Sequence, residues 1–144
     1  MGYPPSISAG DCSTRRAIRL LVVDDQQEHF EQLVQVAEMY HPDFSIECRL
    51  VSDPSKAIEI ASNWQASVVL LDLHVISSAL QLVREISALG TSVIATSSTR
   101  LPEMAERLTE YGGVGYLTKS DNPDEVESLL NLVASVAHPA PMSH

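Results

Sequence analysis

Several apolar runs in this chain end in a side chain able to do chemistry. Leu20-Leu21-Val22-Val23 leads into Asp24 and Asp25, Val68-Val69-Leu70-Leu71 into Asp72, Val93-Ile94-Ala95-Thr96 into Ser97, and Val114-Gly115-Tyr116-Leu117-Thr118 into Lys119. A short, nearly unbroken apolar run is how a strand buried on both faces looks in sequence. Each such strand would carry its terminal polar group to the edge of a sheet. Taken alone, an acid there could simply end the strand or cap the next helix. A shared cluster accounts for all of these strand ends at once.

The chemistry of that cluster follows from magnitudes. Two carboxylates ~5 Å apart at an effective dielectric of about 20 repel by roughly 3 kcal/mol. Asp24, Asp25 and Asp72 in one crevice therefore require protonation or a cation. A hard divalent ion meets the need, since Mg²⁺ takes a few carboxylate oxygens, keeps several waters and leaves room for a phosphoryl oxygen. Calcium suits the same ligand type, but the sequence has no EF-hand calcium loop. With Asp24 and Asp25 neutralised, Asp72 could act as a nucleophile on phosphorus and hold an acyl phosphate. Lys119 and the Ser97 hydroxyl would then supply charged and neutral donors to the remaining phosphoryl oxygens.

The elements that must position these residues can be read in order. Residues 1–16 contain Pro4, Pro5 and Gly10 without an apolar period and read as a tail. The first strand starts near Ala17. Over 27–40, Phe30, Leu33, Val34, Ala37 and Tyr40 recur at helical spacing, and His41-Pro42 closes the helix. Ile46-Glu47-Cys48-Arg49-Leu50 alternates with period two, as a strand with one wet face does, and belongs at an edge. Asp53-Pro54 supplies an N-cap and a first-turn proline for a helix ending near Trp64. After the Asp72 strand, Ser78 with Gln81 forms a capping box for a helix holding Ala79, Leu82, Val83 and Ile86, and Gly90 ends it. A fourth strand covers 92–97, a helix from about Pro102 to Tyr111 stops at Gly112-Gly113, and a fifth strand covers 114–119. Asn122 and Pro123 open a last helix with the stripe Val126, Leu129, Leu130 and Val133.

Strands alternating with helices imply parallel pairing, because each helix serves as the crossover. The expected class is a doubly wound α/β sheet of five strands with five helices on both faces, over residues 17–137. Residues 138–144, with two prolines, read as a tail or a truncated linker. In such sheets ligands gather outside the carboxyl ends of the strands, where the polar residues above would lie.

Composition narrows the class further. The chain has 144 residues, 44% hydrophobic and 19% charged, which suits one globular domain. A formal charge of −10 with nine Lys and Arg argues against direct nucleic-acid binding. Arg15, Arg16 and Arg19 form one basic cluster, read as a solvated edge. The five histidines are too scattered for a zinc site. Cys12 and Cys48 have no metal-ligand spacing and are expected to be reduced. No apolar run approaches the ~20 residues of a membrane span and no signal peptide precedes the fold, so a cytoplasmic protein without membrane insertion is expected.

Leu21-Val22-Val23-Asp24-Asp25, Val69-Leu70-Leu71-Asp72-Leu73, Val93-Ile94-Ala95-Thr96-Ser97 and Gly115-Tyr116-Leu117-Thr118-Lys119, in this order on these elements, resemble the receiver domains of two-component response regulators. The resemblance covers about residues 17–136 and is to the single-domain, CheY-like type. It implies the flavodoxin-like strand order 2-1-3-4-5. It implies Asp72 as phosphoacceptor for a sensor histidine kinase or phosphotransfer protein, and a Mg²⁺ site made by Asp24, Asp25, Asp72 and the backbone carbonyl of His74. Ser97 and Lys119 would bind the phosphoryl group, with Ser97 as the hydroxyl switch and Tyr116 as its aromatic partner. His74 and Thr99 would tune how quickly water attacks the acyl phosphate. Such a domain is a phosphorelay switch rather than an enzyme, although it takes part in its own phosphorylation and dephosphorylation. It acts through a downstream protein partner, and dimerisation through the face of helix four, strand five and helix five is a habit of the family.

The chain departs from the family in the run Leu73-His74-Val75-Ile76-Ser77-Ser78-Ala79, where members usually carry Met-Pro and a glycine, and in Ser120, where proline is usual. That altered loop motivates an alternative, a degenerate receiver acting as a phosphorylation-independent interaction module. Other chemistries fit less well. Asp72-Leu73-His74, Ser78-Ala79-Leu80 and Gly112-Gly113 echo a cobalamin-binding pattern, but the first two lie too close together and follow the wrong strand. A flavin domain needs a hydroxyl-rich phosphate loop where Asp24 and Asp25 stand. An aspartyl phosphatase needs a second acid at the position of His74.

Overall fold

The computed structural model describes residues 16–40, 44–74, 78–98, 102–120 and 122–137. Most of the two tails, the loop residues 75–77 and Thr99 fall outside that set. The order of elements is β1 (Arg16–Val23), α1 (Gln27–Tyr40), β2 (Phe44–Val51), a 3₁₀ turn (Pro54–Lys56), α2 (Ala57–Trp64), β3 (Val68–Asp72), α3 (Ala79–Ser87), β4 (Ser92–Ser97), α4 (Pro102–Glu110), β5 (Gly115–Thr118) and α5 (Pro123–Ala137). The strands form one five-stranded sheet in the order β2-β1-β3-β4-β5. Every pairing is parallel. Strand β2 lies at the edge, as its alternating pattern requires.

The period of two in each strand builds two separate cores. Val69 and Leu71 of β3 join Leu21, Val23, Val93 and Ala95 in a core with α2, α3 and α4. Val68 and Leu70 face the other way and join Ile18, Leu20, Val22 and Ile94 beneath α1 and α5. All five residues of β3 are buried, so this central strand ends in a carboxylate with almost no solvent of its own.

Helix α1 buries Leu33 and Val36, with Phe30 and Ala37 packed beside them. The expected stripe named Val34, which is only half-buried, and missed Val36. Both valines fit a helical period, Val34 four residues after Phe30 and Val36 three after Leu33; the approach of the sheet selects between them. Asp53 caps the 3₁₀ turn, its Oδ1 accepting from the Ser55 amide at 3.0 Å and the Ser55 hydroxyl at 2.7 Å. Ser78 does stand at the N-cap of α3, but no side-chain cap bond forms. With φ −105° and ψ 42° its backbone is outside the extended region that a capping residue typically adopts. The capping box is therefore absent.

Arg19 is more committed than a solvated cation. Its Nη1 donates to the Trp64 carbonyl at 2.7 Å, and its backbone amide donates to Ser67 Oγ at 3.2 Å, fastening β1 to the end of α2. Cys48 is half-buried on β2; burial, with the charge of Glu38 adding, pushes its thiol up to about 11. It stays protonated at neutral pH and behaves as a packing residue. Among the described residues no helix is long and apolar enough to cross a membrane.

Helices α3 and α4 end at glycines in the left-handed region, Gly90 at φ +88° and Gly112 at φ +105°. A Cβ at Gly90 would meet nothing within 4 Å, whereas one at Gly112 would collide with Oγ of Ser87 and lie 2.8 Å from its Cβ. Gly90→Ala is therefore expected to cost about 1 kcal/mol, from backbone strain alone. Gly112→Ala is expected to cost about 2–3 kcal/mol, because Ser87 must also move. Urea unfolding of the two variants tests the order.

Candidate functional site

The carboxyl ends of β1, β3 and β5 converge on one ammonium. Asp24 immediately follows β1, and its amide donates to the Val51 carbonyl at 3.1 Å, tying that strand end to β2. Its Oδ1 accepts from the Gln26 amide at 2.8 Å, a local turn that leads the chain into α1. Asp72 is the last residue of β3, and its Oδ1 accepts from the His74 amide at 3.0 Å in the same way. Lys119 follows β5, its amide bonded to the Ser97 carbonyl at 2.8 Å. Lys119 Nζ lies 2.7 Å from Asp72 Oδ2 and 2.9 Å from Asp24 Oδ2. It also donates to Gln26 Oε1 at 2.9 Å.

Burial makes these contacts matter. Asp24 and Asp72 are 4% and 3% exposed, and isolated charges so deep would be costly. Burial pulls the Lys119 ammonium down, but the hydrogen bonds it donates to Asp72 and Asp24 and their negative charges overcome it and raise the group above its ordinary value. Asp25 is exposed and completes a triad in which one oxygen from each acid lies within 4.8 Å of the others. Three carboxylates against one ammonium leave a formal charge of −2. An all-oxygen donor set with that excess matches a hard divalent cation.

The acids open into a cleft of about 360 Å³ lined by Asp25, Gln26, His29, Asp72, His74, Ser98, Lys119 and Ser120. A larger, mainly apolar cavity of about 580 Å³ lies between α1 and α5, shares His29, Lys119 and Ser120 with this cleft and also reaches Asp24. The smaller cleft is the candidate site, because the chemistry converges there.

Ser97 is 7% exposed at the end of β4 and does not line this cleft. Strand alternation puts it on the same face as Ala95, the face toward α2, α3 and α4, where Tyr116 is buried. Ala95 pairs with Tyr116 and Ser97 with Thr118, so Ser97 lies two residues further along than the aromatic ring on the adjacent strand. Thr96 points to the opposite face and lines the cavity beside α1. Ser97 and Tyr116 therefore lie on one face of the sheet. Thr99 lies outside the described residues.

Gln26 and Ser98 were not anticipated as site residues from sequence. Gln26 reaches Lys119, and Ser98 Oγ lies 2.8 Å from Nε2 of the expected His74 across the mouth of the cleft. The only signal for either was a polar residue immediately beyond a strand-end acid or hydroxyl.

A doubly wound parallel sheet of order 2-1-3-4-5 with three acids and a lysine at its carboxyl ends defines a flavodoxin-like domain whose crevice is acidic. The response regulator receiver domain family matches over residues 20–131, and the chain belongs to that family. It is similar in structure to the response regulator domain of Thermotoga maritima CheB, at 21% identity and a TM-score of 0.70, covering 88% of this chain and 100% of that one. A second response regulator from Thermotoga maritima aligns at 18% identity and TM-score 0.70 over 83% and 98% of the two chains. A DNA-binding response regulator of the LuxR family from Staphylococcus aureus aligns at 23% identity and TM-score 0.63 over 81% and 98%. Among curated proteins none matches.

Lys119→Met should cost about 3 kcal/mol, since it leaves two buried carboxylates without their cation. The folded state raises the lysine above 10.5, so it holds that proton more tightly than the unfolded chain. The stability difference between wild type and Lys119→Met should therefore be level at neutral to mildly alkaline pH and shrink as pH rises beyond about 10.5. Removing the competing ammonium should also tighten divalent-cation binding roughly tenfold. Denaturant titrations across pH and calorimetric metal titration read the two effects.

Proposed function

We propose that the domain is a phosphorelay receiver in which Asp72 accepts a phosphoryl group from the phosphohistidine of a sensor histidine kinase or phosphotransfer protein. The observation that carries this reading is Lys119 bridging Asp72 and Asp24 at 2.7 and 2.9 Å beside the exposed Asp25. Asp72 attacks phosphorus in line with the donor's P–N bond. That bond breaks, its electron pair returns to the imidazole nitrogen, and the acyl phosphate stays on Asp72.

Asp24, Asp25, Asp72 and the His74 carbonyl would hold Mg²⁺, which when bound supplies positive charge to the phosphoryl oxygens. Lys119 already touches the acceptor and needs only a small movement to meet one of those oxygens. The Ser97 hydroxyl donates to another. Drawing Ser97 toward the phosphoryl group relieves packing near Tyr116 on the shared sheet face. The turn of that ring would remodel the surface of α4, β5 and α5 for a downstream protein partner. His74, at the mouth of the cleft, and Thr99 tune how quickly water attacks the acyl phosphate.

Incubation with Mg²⁺ and acetyl phosphate should add one phosphoryl group to the intact mass. The addition should vanish in Asp72→Asn and on chelation of Mg²⁺. An unchanged mass for the wild type would sink the proposal and leave a phosphorylation-independent binding module.

A further inference from the structure

We infer that Gln26 is a positioning residue for Lys119: its side-chain carbonyl holds the third ammonium hydrogen in the resting domain and yields it to the incoming phosphoryl oxygen. The inference rests on Asp72 being the phosphoacceptor. An ammonium has three hydrogens and no more. In this structure Asp72 Oδ2, Asp24 Oδ2 and Gln26 Oε1 lie 2.7, 2.9 and 2.9 Å from Nζ, so all three are engaged. Lys119 can meet a phosphoryl oxygen only by giving one of them up.

The contact that gives way can be identified. Bonds from the ammonium to the two carboxylates join opposite charges and are stronger than the bond to a neutral amide oxygen. Asp24 and Asp72 are 4% and 3% exposed, so a carboxylate oxygen released by Lys119 would stay buried without its cation. Gln26 is exposed at the rim of the cleft, and its carbonyl regains water on release.

Its backbone is also well fixed for the task. The Gln26 amide donates to Asp24 Oδ1 at 2.8 Å, and its backbone carbonyl accepts from Phe30 at 3.4 Å, where α1 begins. The side chain thus reaches Nζ from an anchored point. Gln26 sets how readily the lysine is released, while the acids set where it sits.

Replacing the acceptor by an apolar group of similar reach, or by a charged one, should move the rate in opposite directions. With acetyl phosphate as donor at saturating Mg²⁺, Asp72 attacks phosphorus, the bond between phosphorus and the acetyl oxygen breaks, and acetate leaves with the electron pair. Gln26→Leu should raise the second-order rate of this step about threefold, the effect of freeing one exposed hydrogen bond to a charged donor. Gln26→Glu should lower it about tenfold, because Lys119 is then held by a third carboxylate. A purely structural role for Gln26 would slow both variants, and that result, or equal rates for all three proteins, would overturn the inference while leaving Asp72 as acceptor. No phosphorylation of the wild type at all would remove both readings together. Independently of any variant, the Gln26 side-chain carbonyl ¹³C signal of the wild type should move to its water-exposed position when beryllofluoride and Mg²⁺ are added. A signal that stays in place under those conditions overturns the inference.

Discussion

The bond between Lys119 and the two buried acids is the constraint that organises this domain. Asp24, Asp72 and Lys119 terminate β1, β3 and β5, so the contact can exist only when all three strands lie in one sheet with their carboxyl ends level. The dependence also runs in reverse. Two carboxylates at 4% and 3% exposure are tolerable because an ammonium sits between them. Chemistry and fold are thus stated by the same contact, and neither can be removed without exposing the other.

Rigidity at the site comes from how each carboxylate is held. In both Asp24 and Asp72, Oδ1 receives a backbone amide two residues on, while Oδ2 faces Lys119. One oxygen is used for orientation and the other is available for chemistry. The strands beneath cannot shift to accommodate a misplaced acid, because β3 is buried along its whole length between two close-packed cores. Turns and loops surround this point, yet the residues that matter most are fixed to the sheet itself. This is the arrangement that precise positioning of a reacting group requires.

The charge of the site is deliberately incomplete. Lys119 offsets one of three carboxylates, and the excess of −2 lies at an exposed rim where Asp25 meets solvent. A cation held by Asp24, Asp25 and Asp72 would compete with Lys119 for the same carboxylates. The lysine, the acids and any bound ion form one coupled system, in which a change at one member is felt by the others. Membership of the receiver family explains why such a coupled cluster occurs on this sheet. The identities of Gln26, His74 and Ser98 give this chain its own version of it.

The order of strands and helices, the edge position of β2 and the gathering of Asp24, Asp25, Asp72 and Lys119 were legible in the sequence. Burial on two faces forces apolar runs, and parallel topology forces their polar ends to one side. Those are periodic or topological requirements, and a linear chain records them directly. The tertiary structure decided what depends on side-chain reach and approach: Val36 in place of Val34 under α1, the uncapped Ser78, the grip of Arg19 on the Trp64 carbonyl, the face that joins Ser97 to Tyr116. It also decided that Gln26 and Lys119, 93 residues apart, share a hydrogen bond. No local pattern encodes such a contact, because its distance is set only after the sheet has brought its distant strands together.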